Sequence, residues 1–289
     1  MAKVALDISD KPMDQRVNEV IRKSGQLGKM KGNVIIKPNM CSLRKSESGA
    51  TTDPRIVEAL IRNLLSEGID SSEIFVVESE TAFRNLEKAF RVLGYSDIIE
   101  KYDVKFLNLS KLEEEVVKGR DFHGEIRIPR LLLQDKFYIS VAKLKTHCQE
   151  WISCSLKNQL GCLPDRDKVK FHPHLPELIA DVNHIIRPNM AIVDGLFGME
   201  GYGPIMGKPV EMNLIMCSRD LVALDAIACQ IIGVNPQRVG HLRLCKDLGN
   251  MDNVELLGVD IAQVQRKFKQ DVLRHMAFVF LNRYLKISI

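Results

Sequence analysis

Val34-Ile35-Ile36-Lys37-Pro38-Asn39, then Asp53-Pro54 at the head of an apolar-periodic run, then Ile74-Phe75-Val76-Val77, is the stretch whose reading decides the fold. Val34-Ile35-Ile36 reads as a short, β-branched, buried strand that ends at Lys37-Pro38-Asn39, where the proline lacks a ladder donor. Ile56, Val57, Leu60, Ile61, Leu64 and Leu65 follow at helical spacing, with Asp53 as N-cap, Pro54 as first helical residue and Gly68 as the stop. Ile74 to Val77 is the next buried strand, Leu86 to Leu93 a helix stopped by Gly94, and Val104 to Leu109 a further strand. Strands separated by helices pair in parallel, because the crossover carries the chain back to the same edge of the sheet. The expected fold class is therefore α/β: a mostly parallel sheet or sheets flanked by helices, in Rossmann-like βαβ units, as one body or as two packed lobes.

The same periodicities extend outward. Met13 to Ser24 is a helix, after a mixed Met1 to Pro12. Glu125 to Arg130 is hairpin-like, and Lys136 to Val141 is a strand leading into Lys143-Leu144-Lys145-Thr146-His147. Pro176 to Ile186 is a helix, Met190 to Asp194 a strand, Gly195 to Pro209 a glycine-rich loop, Met212 to Cys217 a strand and Leu221 to Ile232 a helix. No repeat or linker interrupts the pattern, so residues 1–289 read as one folded unit with a motif-bearing core at about 33–232. In a C-terminal extension at about 262–289, Val272, Met276, Val279, Phe280, Tyr284 and Leu285 recur at helical spacing among Lys267, Lys269, Arg274, Arg283 and Lys286. Such a basic amphipathic helix packs on its own domain, on a partner or anionic membrane surface, or on a second copy as a homodimer.

Composition removes several classes. A chain of 289 residues that is 45% hydrophobic can build a substantial core, which excludes global disorder. A net charge of +4 is a mild excess and argues against an obligate nucleic-acid binder. The longest apolar run, Met276 to Leu281, is too short to span a bilayer, and no signal peptide opens the chain, so no transmembrane segment and a cytoplasmic location are expected. Seven cysteines without a C-x-x-C pair exclude a zinc ribbon and a thioredoxin motif, and read as reduced, buried thiols.

Three groups of residues carry chemistry. Lys37, Asn39, Thr51 and Thr52 lie beside the helix that opens at Asp53, where hydroxyls, amides and the helix dipole suit an anion; capping alone would also explain Thr52 and Asp53. Residues 143–174 hold Lys143, Lys145, Lys157, Arg166, Lys168 and Lys170 against Glu150, Asp165 and Asp167, together with His147, His172 and His174. So dense a positive charge calls for an anion or a compensating partner, unless solvent screens it. His172-Pro173-His174 offers imidazole ligands for a divalent metal, with Glu200 as a carboxylate ligand. Cys148, Cys154 and Cys162 follow neither standard ferredoxin spacing. Gly201 and Gly203, in the third group, permit close backbone approach to a ligand, although neither a Rossmann fingerprint nor a Walker A lysine is present.

Lys37-Pro38-Asn39, Thr51-Thr52-Asp53-Pro54, Lys143-Leu144-Lys145-Thr146-His147, Leu156-Lys157-Asn158, Gly161-Cys162, Asp194-Gly195, Met199-Glu200-Gly201-x-Gly203-Pro204 and Val222-Ala223-Leu224-Asp225-Ala226 occur in that order. Together they resemble the domain-of-unknown-function family 362, some members of which are fused to ferredoxin-like iron–sulfur modules. This chain lacks the four-cysteine segments of those fusions. The order of strand, threonine loop, helix, strand, Lys-x-His and a later lysine is also similar to the nickel-pincer lactate racemases. That resemblance implies phosphate binding by the loop, acid–base chemistry at His147, cofactor attachment at Lys157 and nickel ligation near His172 or His174. The paired glycines before the lysine and an obvious second catalytic histidine are missing.

The leading expectation is an enzyme acting on a small anionic metabolite or phosphorylated cofactor at the carboxyl edge of the sheet. Lys37, Asn39, Thr51, Thr52, Asn158, Gly201 and Gly203 would hold the anion, His147, Lys145 and Lys157 would do the chemistry, and His172, His174 and Glu200 would hold a metal if one is used. One alternative is a redox or iron–sulfur protein using Cys148, Cys154 and Cys162 with a separate ferredoxin partner. The other is a non-enzymatic binder of anions, nucleic acid or membrane surface.

Overall fold

A computed structural model describes residues 1–28, 30, 32–81, 85–270, 276, 277 and 280. Its strands are β1 (Ala2–Asp7), β2 (Asn33–Pro38), β3 (Ile74–Glu78), β4 (Lys105–Asn108), β5 (Glu114–Lys118), β6 (Glu125–Pro129), β7 (Lys136–His147), β8 (Trp151–Ser153), β9 (Met190–Glu200), β10 (Lys208–Ser218) and β11 (Val254–Gly258). Its helices are α1 (Met13–Ser24), α2 (Pro54–Ser66), α3 (Leu86–Val92), α4 (Tyr95–Tyr102), α5 (Ser155–Asn158), α6 (Leu175–Ile186), α7 (Leu221–Ile231), α8 (Gly240–Leu244) and α9 (Ile261–Val264).

One nine-stranded sheet in the order β11-β1-β10-β9-β7-β2-β3-β4, with β8 paired to β7, runs through the described residues, in place of two lobes. β2, β3, β4, β7 and β9 pair in parallel as the helical crossovers require, and β11 pairs in parallel with β1. β10 is antiparallel to both β9 and β1, which makes the sheet mixed. The alternation of side chains across each strand supplies two faces. On one, Val34, Ile36, Val76, Ile139 and Val141 pack against Val20, Leu60, Phe90 and Ile98 from α1 to α4. On the other, Ala142, Leu144, Val193 and Met216 pack against Leu156, Ile179 and Leu224, while Ile35, Val77 and Tyr138 meet Leu178, Val182 and the β5–β6 hairpin. Asp53 caps α2 through the Arg55 N–H at 2.9 Å, with Pro54 at its first turn.

Several boundaries depart from the sequence reading. The end of β2 is not one of them, since its last pair is Pro38 with Val141, where the proline was expected to stop the ladder. β7 continues to His147, so the Lys143–His147 motif is strand, stabilised by β9 and β8. The glycine-rich segment after Asp194 is strand as far as Glu200, because β10 returns antiparallel beside it and supplies the ladder that its glycines do not preclude. The mixed N-terminus forms β1, inserted between β10 and β11. In the extension, α9 is followed by Phe268, which is buried against Gly198. The amphipathic helix expected to carry Val272, Val279, Tyr284 and Leu285 lies outside the described residues. Among the described residues no helix is long and apolar enough to cross a membrane.

Candidate functional site

β2 and β3 end side by side while β7 runs on past them to His147, and the parallel order brings Lys37, Glu78 and Lys145 to one rim, where open α/β sheets place their ligands. A cavity of about 150 Å³ opens there, walled in part by Lys37, Asn39, Cys41, Glu78, Lys145 and Lys157. Asn158, Lys168, Phe171, His172 and Pro204 complete much of the wall. Cavities of that size hold a benzene-sized molecule.

The side chains of the rim are cross-linked. Lys37 is almost fully buried; its Nζ donates to Glu78 Oε2 at 3.1 Å and to Pro38 O at 3.0 Å. Glu78 also accepts from the backbone N–H groups of Met40 and Ser79, so the carboxylate is held on both oxygens. Asn158 Nδ2 donates to Ser140 Oγ at 2.9 Å and to Lys37 O at 3.2 Å. Its Oδ1 accepts from Asn39 Nδ2 at 3.1 Å. Asn39 Oδ1 in turn accepts from Lys145 Nζ at 2.8 Å, and that amine also donates to Ala50 O at 2.9 Å and reaches Cys41 Sγ at 3.4 Å. Gly161 packs directly on the Lys37–Glu78 pair: a Cβ there would lie 2.4 Å from Lys37 Nζ and 2.8 Å from Glu78 Oε1. Gly161→Ala is expected to push the pair apart, costing roughly 1–3 kcal/mol. It should weaken ligand binding at the rim in parallel, as urea unfolding and phosphate calorimetry on the same preparation would show.

The charges on the rim are unequal. Lys37 is answered by Glu78, but among the described residues Lys145 has no carboxylate partner and Lys157 has neither a hydrogen-bond nor an ion-pair partner. Burial lowers the Lys145 amine. Burial first, and then the neighbouring Lys145 charge, brings Lys157 down to about 8. An amine at that value exchanges protons readily near neutral pH. Its position depends on Asp225 of α7. One carboxylate oxygen accepts from Ser155 N at 2.8 Å and Ser155 Oγ at 2.5 Å, and the other accepts from Leu156 N at 3.0 Å. Those are the orphan donors at the start of α5, the single turn that carries Lys157 and Asn158 to the cavity.

Other residues singled out in the sequence sit elsewhere. Thr52 Oγ1 donates to Val141 O at 2.8 Å and accepts from Asn39 N at 2.8 Å, tying the end of β2 to β7. Thr51 Oγ1 donates to Arg44 O at 2.7 Å. Both hydroxyls are consumed by backbone and lie off the cavity wall. The Gly201 N–H donates to Lys269 O and its carbonyl accepts from Thr146 Oγ1, while the Gly203 carbonyl accepts from Cys148 N. Gly203 is needed because a Cβ would fall 2.0 Å from Thr146 O. His147 is buried behind the rim. Its Nδ1 accepts the Gln149 N–H at 3.1 Å, and burial, then the charge of Lys157, hold the ring well below its ordinary value. The neutral ring therefore carries its proton on Nε2.

The proposed metal ligands are not brought together. His172 lines the cavity, His174 packs edge-on against Phe122, and Glu200 accepts from Lys269 N at 3.0 Å. Among the described residues no three His, Cys, Asp or Glu side chains form a group that could hold a metal ion. Cys154 and Cys162 are buried in different clusters, Cys162 against the Tyr138 hydroxyl. The dense basic window is compensated from outside itself and within: Lys143 by Asp194 at 2.8 Å, Arg166 by Glu80, and Lys170 by Asp165. Cys41 and Glu78 belong to the cavity but were not among the candidate site residues, and Lys168 was counted only as part of the basic window. For Glu78, its place at a strand end was the available signal.

Fold and rim together define an α/β protein with an amine-lined cavity at the carboxyl ends of its parallel strands. The chain belongs to the family described as Domain of unknown function (DUF362), whose model matches residues 34–230. It is similar to a thylakoid-associated protein of Synechocystis sp., 24% identical over 232 residues that cover 78% of this chain and 70% of that one. Among solved structures, the lactate racemase apoprotein from Thermoanaerobacterium thermosaccharolyticum matches with a TM-score of 0.45 and 11% identity. That match covers 80% of this chain and spans 57% of the length of that one.

Proposed function

We propose that the protein is an enzyme acting on a small anionic metabolite, bound at the rim of β2, β3 and β7, with Lys157 as the group that moves a proton. The observation that carries this reading is the pair of amines, Lys145 and Lys157, facing one small cavity with no carboxylate among the described residues in ion-pair contact with either. A desolvated cation left in that condition gains most from an incoming carboxylate or phosphate oxygen, since charge-assisted bonds are the strong ones. The Lys145 contact to Cys41 Sγ, the longest of its three, is the one a ligand oxygen can replace. Proton transfer passes to Lys157 rather than His147, whose free lone pair is already taken by a backbone N–H.

The test is solvent-deuterium exchange, followed by NMR, into the C–H position next to the carboxylate of small hydroxy acids or next to the carbonyl of small oxo acids. Exchange with the wild-type chain and none with Lys157→Met supports the reading; equal exchange with both would overturn it. Anion affinity should also depend on pH in one direction. Lys157 is charged below about 8 and neutral above it, so phosphate binding should weaken as pH rises through that value. Calorimetric titration with inorganic phosphate at intervals between pH 6.5 and 9 (roughly spanning the transition) checks the sign.

A further inference from the structure

We infer that Lys157 is a covalent nucleophile toward a small oxo acid, forming an imine between its Nζ and the carbonyl carbon while the carboxylate of the same molecule lies against Lys145. The inference rests on the anion reading above and goes beyond it by naming the substrate class and the bond formed.

An amine that adds to a carbonyl must meet two conditions. It needs an available lone pair, hence no ion-pair partner and a neutral fraction near physiological pH, and it needs a neighbour that keeps it from being permanently charged. Lys157 meets these conditions in place: it faces the cavity, has no partner among the described residues, and stands near a second buried amine. Lys37 and Lys145 do not meet them, because Lys37 is paired with Glu78 and Lys145 is engaged by Asn39, Ala50 and Cys41. The cavity holds one small molecule, so the anionic group and the reacting carbon must belong to the same few atoms; an oxo acid satisfies both at once. The rigid seat of α5 on Asp225 supplies the fixed approach that converts an encounter into a near-attack geometry.

The step balances without a co-reactant. The neutral Lys157 amine adds to the carbonyl carbon, forming the C–N bond as the carbonyl π pair moves to oxygen. The two amine hydrogens leave with that oxygen as water, and the C=N bond closes. Once protonated, the imine withdraws electrons through its C=N carbon and acidifies the hydrogens on the carbon next to it.

The experiment is reductive trapping of the full-length chain with pyruvate and sodium cyanoborohydride, read by intact mass and peptide mapping. A single adduct of one reduced oxo acid on Lys157 is expected, with trapping that speeds up as pH rises toward about 8. Lys157→Arg keeps the positive charge and should still bind pyruvate by calorimetry while losing the adduct. Adducts on other amines, or none, overturn the imine. In that case, pyruvate binding to untreated wild type leaves the anion reading standing, whereas absence of any binding of pyruvate or phosphate removes both.

Discussion

Replacing Lys157 by Met is expected to abolish exchange chemistry while leaving the fold intact. Methionine has nearly the reach of lysine without the charge, so the cavity keeps its shape. No partner is orphaned, since none among the described residues bonds the Lys157 amine. A change of that kind, away from a bonded network, usually stays within about 0.5 kcal/mol in stability. Removing an unanswered, partly buried cation works in the stabilising direction. Loss of a general acid–base group, by contrast, costs typically 10²–10⁴-fold in rate, and loss of one charged contact to a bound anion about 1.5–3 kcal/mol in affinity. Thermal unfolding, phosphate calorimetry and deuterium exchange on one preparation separate the two effects. A large fall in Tm would mark Lys157 as structural and remove the proposed chemistry.

Asp225→Ala is expected to show the opposite signature. Its carboxylate is fully buried and accepts from Ser155 N, Ser155 Oγ and Leu156 N; its removal strands the two backbone donors away from water, while the hydroxyl keeps Leu221 O as an acceptor. An unsatisfied buried donor costs about 1–3 kcal/mol, and relaxation shares the loss, which suggests roughly 2–4 kcal/mol in total. That corresponds to a Tm lower by about 5–15 °C for a domain of this size. Lys157 and Asn158 ride on the same turn, so anion binding should fall with stability. Asp225→Asn should be intermediate. Its oxygen can replace one acceptor, but its amide then points hydrogens at a group that is itself a donor. A variant as stable as wild type would show that α5 is held by packing alone.

These two residues also measure how much was legible beforehand. Asp53-Pro54 announced α2 because an N-cap and a first-turn proline act within a few residues, and Val34-Ile35-Ile36 and Ile74 to Val77 announced buried parallel strands because helices separate them. Lys157 stood out through its motif, and Lys37, Asn39 and Asn158 do meet it at one rim. The Thr51 and Thr52 hydroxyls did not, because the backbone of Arg44 and Val141, far off in sequence for Val141, competes for them.

By itself the sequence determined the alternation of strand and helix, the parallel core of the sheet and the family motifs, all of which depend on short-range periodicity and capping. Only the tertiary structure decided which charges are answered. Glu78 reaches Lys37 across 41 positions, Asp194 reaches Lys143 across 51, and Asp225 reaches Ser155 across 70. Sequence spacing carries no record of such pairings, because Coulomb energy and desolvation depend on distance and burial in three dimensions. Among the described residues, Lys157 is left at the rim without a hydrogen-bond or ion-pair partner by the folded arrangement of its neighbours, not by anything adjacent to it in the chain.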